Sequence, residues 1–346
     1  MSAPIYLNAR FLTQKTTGVQ RFAIEISKQL TKINPNIRLV APANIIHQEL
    51  ALELNVITFG KLSGHLWEQV ELPFFLKTKG SPLLINFCNT APILYQNQIV
   101  TIHDLAFIVN PKWFSKKFAA FYNFLIPKIA RSSKHIFTVS NSSKREICDL
   151  LQINQDKVSV VYNGVTFKTI SDNINTETLF PERYFLTVSS IDPRKNLQKL
   201  IQAFEEWAPK DIKLLVIGGN NHNFANQQVK YGEQIIPLGY VTDKELINYY
   251  QNAVCFVYPS LYEGFGLPPL EALALGTNVI ASNILSIKEV CGEHVLMYFD
   301  PYNKKNIIEA LQFALNNTES PKPIDLSKFS WEKAAEAIAL KLKTFN

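Results

Sequence analysis

Residues 254–272 read VCFVYPSLYEGFGLPPLEA. The apolar run Val254–Tyr258, closed by Pro259, has the length and composition of a buried strand. A loop follows, LYEGFG, and then Pro268 and Pro269, which are tolerated only in the first turn of a helix. The stretch therefore reads as strand, loop, helix. Glu263 lies in the loop and Glu271, eight residues on, in the first turns of the helix. In parallel sheets ligands bind beyond the carboxyl ends of the strands, and this loop is such a place. Gly264 and Gly266 let backbone approach a ligand. The free N–H groups of the new helix, near Leu267, suit phosphate oxygens. A carboxylate at Glu271 can accept two hydrogen bonds from a diol such as a ribose, and Glu263 is left to meet a different group.

The same strand–helix alternation fills the rest of the chain. In the first half, IYLNA, IRLVAP, VITFG, PLLINFC, QIVTIHDL, HIFTVS and VSVVYNG read as strands. GVQRFAIEISKQLTKI puts Val19, Phe22, Ile26 and Leu30 on one helical face. An aromatic helix over 112–134 is expected to kink or end near Pro127, and NSSKREICDLLQI to open on Asn141 and Ser142 as caps. Residues 168–182 are polar and unpatterned and read as a linker. The alternation then restarts with YFLTVSS and NLQKLIQAFEEW and runs to a last helix after Ser330. The fold class is α/β, with two Rossmann-like parallel-sheet domains at 1–168 and 169–329 and a terminal helix at 330–346.

Bulk properties narrow the class. The chain has 346 residues, 47% hydrophobic and 18% charged, enough for real cores and too apolar for disorder. Its four cysteines are scattered with no CxxC pair, which argues against a zinc site or a disulfide framework and for a reducing compartment. The N-terminus lacks the pattern of a signal peptide, and no run of about 20 apolar residues is present to span a membrane. The expected location is cytoplasmic, peripheral on a membrane at most. The net charge of +6 is uneven: 19 Lys/Arg against 9 Asp/Glu in residues 1–170, and 16 against 20 in the rest. The basic half points to anionic lipid, a phosphate-bearing acceptor or nucleic acid. Nucleic acid has only the charge to support it, and no nucleic-acid partner is expected. A nicotinamide dehydrogenase is disfavoured because no GxGxxG follows the first strand.

SLYEGFGLPPLEALALGTNVIAS resembles the E-x7-E region of the retaining GT-B glycosyltransferases of family 4. TTGVQRFAIEI, VTIHDLAF, TVSNSSKREI, VVYNGV, SSIDPRKNLQKLIQAF, LLVIGG and LGYVTDKELINYYQNA resemble further family segments, in family order, across nearly the whole chain. The resemblance implies two Rossmann-like domains facing across a cleft, with the sugar nucleotide mainly on the second, the acceptor mainly on the first and the terminal helix crossing back to the first.

The implied roles attach to particular residues. Arg194 and Lys195, in a turn between strand and helix, suit a diphosphate that gains charge as it leaves. Glu263 meets the sugar hydroxyls and Glu271 the ribose. Gly264, Phe265, Gly266 and Leu267 form the donor loop, and backbone near Tyr240 and Val241 reads the base. Asn196 is expected to cap the following helix. Gly18 resembles the family's glycine loop, although many members carry two or more glycines there. Alone, His103 at a strand end reads as structural; in the family a histidine in this context touches the transferred sugar near its 6-position. Arg21 and Asp104 are acceptor-side candidates. Asn163–Gly164 resembles a turn at the domain boundary. The lysines beside Trp113 are candidates for contact with an anionic bilayer.

The reading is a retaining hexosyltransferase in surface polysaccharide or glycolipid synthesis, with GDP-mannose as the first donor and an oligosaccharide or lipid-linked acceptor. No cofactor and no metal are implied, since no DxD triplet is present. The alternatives are a GT-B epimerase, a phosphorylase, or a sugar-nucleotide-binding subunit without turnover.

Overall fold

A computed structural model of the chain describes residues 4–166, 178–219 and 230–345. Most of the 168–182 linker expectation falls outside these residues. Two compact units are present. One comprises residues up to Leu105, Ala120–Gly164 and Ser327 onward; the other comprises Ala106–Ala119 and Val165–Leu326. This division differs from a cut at residue 168 in sending 106–119 to the second unit. Trp113 shows why: it is buried, with its ring centroid 6.1 Å from that of Tyr262. The lysines on either side, Lys112, Lys116 and Lys117, are exposed.

The first unit is a parallel sheet: every paired neighbour runs in the same direction, and all successive strands but β4 and β5 are separated by helices. Its strands are β1 (Ile5–Asn8), β2 (Ile37–Ala41), β3 (Ile57–Thr58), β4 (Leu84–Asn86), β5 (Gln98–Thr101), β6 (His135–Thr138) and β7 (Val158–Val160). Their order is β3-β2-β1-β4-β5-β6-β7. β1 takes β2 on one side, Ile5 opposite Ile37, and β4 on the other, Tyr6 opposite Leu84. Strand order reverses between β1 and β4.

The second unit repeats the scheme. Its strands are β8 (Arg183–Val188), β9 (Ile212–Ile217), β10 (Ile235–Gly239), β11 (Cys255–Tyr258), β12 (Val279–Ser282) and β13 (Met297–Phe299), in the order β10-β9-β8-β11-β12-β13. Here the reversal lies between β8 and β11. The amphipathic helix Leu197–Trp207 buries Leu197, Leu200, Ile201 and Phe204 against Phe185, Leu214 and Val257 of the sheet. Pro237 sits in β10, an edge strand, where its missing N–H breaks no central ladder, and the register shifts beside it.

Several local expectations are corrected. The helix Lys116–Ser132 runs through Pro127 rather than ending there; the proline forfeits one backbone hydrogen bond, and packing of Leu125, Ile126, Ile129 and Ala130, all buried, holds the segment. Ser140, not Asn141 or Ser142, caps Asn141–Leu151: its hydroxyl accepts from the Ser143 N–H at 2.9 Å. The helices Gln48–Glu53 and Leu285–Cys291 and strand β13 were not read from sequence, nor was the continuous helix over 64–78, whose middle, Trp67–Glu71, is a π turn. Trp331 opens the last helix, Trp331–Leu342, in the first unit, with its ring centroid 6.1 Å from Phe22. Gly164 packs directly on it: a Cβ there would stand 2.5 Å from the Trp331 nitrogen.

Candidate active site

The second unit assembles its candidate site where strand order reverses, at the carboxyl ends of β8 and β11, the place where open parallel sheets bind ligands. After β8 the chain turns through Asp192. Its buried carboxylate accepts from the Arg194 backbone N–H at 2.9 Å and from Arg194 Nε at 3.1 Å. Asn196 follows with φ 57°, and its side chain does not cap the helix. Instead Nδ2 donates to the Pro259 and Pro301 carbonyls at 3.2 and 2.8 Å. The Leu261 N–H donates to the Arg194 carbonyl at 2.8 Å. The loop after β8 is thereby fastened to the loop after β11.

That fastening brings Lys195 and Glu263 together. Lys195 Nζ lies 2.6 Å from Glu263 Oε1 and 3.0 Å from the Tyr258 hydroxyl, which itself donates to Glu263 Oε1 at 2.8 Å. Burial by itself would raise the Glu263 carboxyl; the Lys195 ammonium and then the Arg194 guanidinium outweigh it and hold the group below its ordinary value. Burial, reinforced by the Glu263 charge, pushes the Tyr258 phenol well up, so it stays a donor. The Arg194 and Lys195 side chains are each 14% exposed, within reach of an anion. The site thus presents two fixed cations and a fixed carboxylate, able to bind an anion and a hydroxyl side by side.

The loop beyond is shaped by Gly266, at φ 97°, which precedes the helix Leu267–Ala274. Gly264, Phe265 and Gly266 are buried and Leu267 is half-buried. Glu271 is buried, with the Tyr250 hydroxyl 3.5 Å from its Oε2. Gly218, at φ 126°, closes β9 so tightly that a Cβ would stand 2.2 Å from the Ser189 carbonyl oxygen. Val241 is half-buried beyond β10, one residue before Thr242, which forms a capping box with Glu245.

The remaining candidates belong to the first unit. Gly18 is exposed and opens the helix Gly18–Ile33, and a Cβ there would meet nothing within 4 Å. Arg21, in the same helix, and Asp104 are half-buried. His103 follows β5 and is buried, edge-on to Phe22 at 4.9 Å. Burial lowers its pKa, so the ring is neutral; Nε2–H donates to the Phe87 carbonyl at 2.8 Å, which leaves Nδ1 as the acceptor.

Sequence reasoning missed Asp192 and Tyr258, the partners that orient Arg194 and Glu263. A tyrosine closing an apolar strand next to an acidic loop was the only signal. It also missed a second charged cluster, Arg10 with Glu68, whose signal was charge inside the apolar runs NARFL and HLWEQV.

Comparison with known proteins agrees with this architecture. Residues 16–168 match the model of "Glycosyltransferase Family 4" and residues 172–328 that of "Glycosyl transferases group 1". The chain is 32% identical over 263 residues to the O-antigen chain mannosyltransferase RfbU of Salmonella typhimurium, covering 75% of this chain and 70% of that protein. It is 28% identical to the serotype-specific mannosyltransferase WbdA of Escherichia coli, over 68% of this chain and 32% of WbdA. Among solved structures, WaaG, a glycosyltransferase involved in lipopolysaccharide biosynthesis, superposes with a TM-score of 0.68 at 14% identity, covering 97% of this chain and 95% of that one. HepE of Anabaena, solved with UDP-glucose, gives 0.66 at 17% identity over 99% and 97%. With two parallel-sheet units in GT-B order and that degree of likeness to RfbU, the chain belongs to the GT-B glycosyltransferases of group 1/family 4.

Proposed function

We propose that this glycosyltransferase moves mannose from GDP-mannose to an acceptor hydroxyl on a growing surface polysaccharide or glycolipid, with retention of configuration and without a metal. The Lys195–Glu263–Tyr258 triangle beside Arg194 carries the reading. Arg194, held by Asp192, and Lys195, held by Glu263 and Tyr258, are preorganised cations for the departing diphosphate, and fixed charges of this kind need no reorganisation as charge develops. Glu263 binds sugar hydroxyls and Glu271 the ribose. No protein nucleophile is required: the leaving phosphate takes the acceptor proton on the same face. The mannosyl choice is supported by RfbU, an O-antigen chain mannosyltransferase, and WbdA, a serotype-specific mannosyltransferase.

Calorimetric titration of GDP, UDP and dTDP into wild type and Glu271→Ala tests the reading. GDP is expected to bind most tightly, and the substitution to weaken it by about 1–3 kcal/mol, the cost of losing a hydrogen-bonded charged partner. Preference for UDP or dTDP would remove mannose as the donor. Absence of binding by all three would remove the site. Incubation with GDP-mannose and acceptor then separates a transferase from a subunit that binds without turnover, by time-dependent release of GDP.

A further inference from the structure

The first sheet has its own reversal point, between β1 and β4, and charged groups are buried there. Arg10, two residues past β1, and Glu68, in the π turn, are 5% and 1% exposed. Arg10 Nε lies 3.1 Å from Glu68 Oε1. Arg10 Nη2 donates to the Thr90 hydroxyl at 2.8 Å, which donates on to Glu68 Oε1 at 3.1 Å. Asn8, the last residue of β1, donates from Nδ2 to Glu68 Oε1 at 2.8 Å and to Asn86, the last of β4, at 3.0 Å. Burial raises the Glu68 carboxyl, but Arg10 and then His65 overcome it and hold the group at about 2. It is therefore a carboxylate at any physiological pH.

One oxygen of that carboxylate is saturated from inside. The other faces His65, whose Nδ1 lies 3.3 Å from Glu68 Oε2. A carboxylate only accepts, so a histidine proton sits on Nδ1 facing Glu68, and Nε2 is the ring nitrogen left for another partner. The His65 side chain is 34% exposed, far more than anything else in the cluster. Its ring packs at 4.9 Å from Phe121, itself 39% exposed, and at 5.9 Å from Tyr122. The loop before the helix is clamped as well: Glu71 accepts from the Lys61 and Leu62 N–H groups at 3.0 and 2.9 Å. Buried ion pairs are poor stabilisers relative to apolar packing, and π turns are frequent at functional sites. An oriented imidazole with an aromatic face at its side, at a reversal point, is the arrangement that binds a pyranose: a hydroxyl to the nitrogen, the ring to the aromatic face.

We propose that the carboxyl end of β1 and β4 is a saccharide subsite, in which His65 Nε2, oriented by Glu68, hydrogen-bonds a pyranose hydroxyl and Phe121 covers the sugar ring. The subsite deepens the acceptor side of the glycosyltransferase reading above and rests on it for the choice of ligand. Arg10, Asn8 and Thr90 are positioning residues that act through Glu68.

The test uses the full chain labelled with 15N-histidine, with the His65 resonances assigned by their loss in His65→Ala. Methyl pyranosides of mannose, glucose, galactose, rhamnose and N-acetylglucosamine are titrated at millimolar concentration. The expected result is that one of them moves the His65 Nε2 resonance and receives saturation transfer from the Phe121 ring. His65→Ala and Phe121→Ala should each weaken that glycoside about tenfold, the worth of one hydrogen bond or ring contact, and His65→Gln should restore part of the loss by supplying a hydrogen-bonding group. Glu68→Gln should move the His65 Nδ1 resonance. If none of the glycosides moves His65, or if the substitutions leave glycoside binding unchanged, the subsite is wrong. GDP titrated into the same sample keeps the two readings apart. Glycoside binding without GDP binding would sink the donor assignment alone. GDP binding with an unmoved His65 would sink only the subsite.

Discussion

At the residue scale, the chemistry of the second unit turns on which atom each cation already holds. Lys195 spends its charge on Glu263 and Tyr258, and Arg194 on Asp192. Lys195→Ala should therefore do two things: remove a diphosphate contact and leave Glu263 beside a buried tyrosine without its main counter-charge. A fall in turnover of about 100- to 1,000-fold is expected, typical for removing one preorganised electrostatic partner, while thermal unfolding stays cooperative; turnover within a factor of two of wild type would refute the role. The depressed carboxyl of Glu68 makes a prediction about pH. A lowered folded-state pKa contributes stability above the unfolded value, near 4.5, and loses it as pH falls toward the folded value of about 2. Urea unfolding across that window should show the wild type losing on the order of 3 kcal/mol from this group. In Glu68→Gln that slope should be shallower, on a lower baseline set by an unpaired buried Arg10.

At the scale of elements, two loops do most of the positioning. Asn196 was legible in sequence as a cap, and it does occupy the first position before the helix Leu197–Trp207. Its side chain, however, joins two other loops, through the Pro259 and Pro301 carbonyls. Asn196→Ala is thus expected to cost more nucleotide affinity than helix stability, a distinction readable by comparing GDP calorimetry with the unfolding midpoint. The helix Trp331–Leu342 depends on a backbone approach at Gly164. Gly164→Ala should push Trp331 off the first unit, lower the melting temperature by several degrees (about 1–3 kcal/mol for overpacking a core contact) and expose the C-terminal segment to protease. An unchanged digestion pattern would show that the contact is dispensable. The helix over 64–78 was missed because its π turn and Pro73 interrupt the 3.6-residue period by which helices are recognised.

At the scale of the whole molecule, charge and exposed apolar surface bear on where the protein works. Among the described residues no helix is long and apolar enough to cross a membrane. We propose peripheral attachment to an anionic bilayer at the cytoplasmic face through the first unit. Phe124 is 56% exposed with Lys128 Nζ 3.7 Å from its ring centroid, and Leu66, Val70 and Phe74 are exposed on the helix over 64–78. Vesicles containing anionic lipid should retain the protein at low salt and release it as salt rises; Phe74→Ser with Phe124→Ser should lower retention, and equal retention on neutral vesicles would refute the electrostatic part. The α/β class, nearly every strand, and the strand–loop–helix of 254–272 with its two prolines were legible from the chain alone, because strand and helix periods and turn residues are local properties. Folding, by contrast, brings Lys195 to Glu263, residues 106–119 into the second unit, and Arg10 to Glu68 at the end of β1. Those pairings span tens of residues, and a sheet whose strand order departs from sequence order brings together groups that no local period can connect.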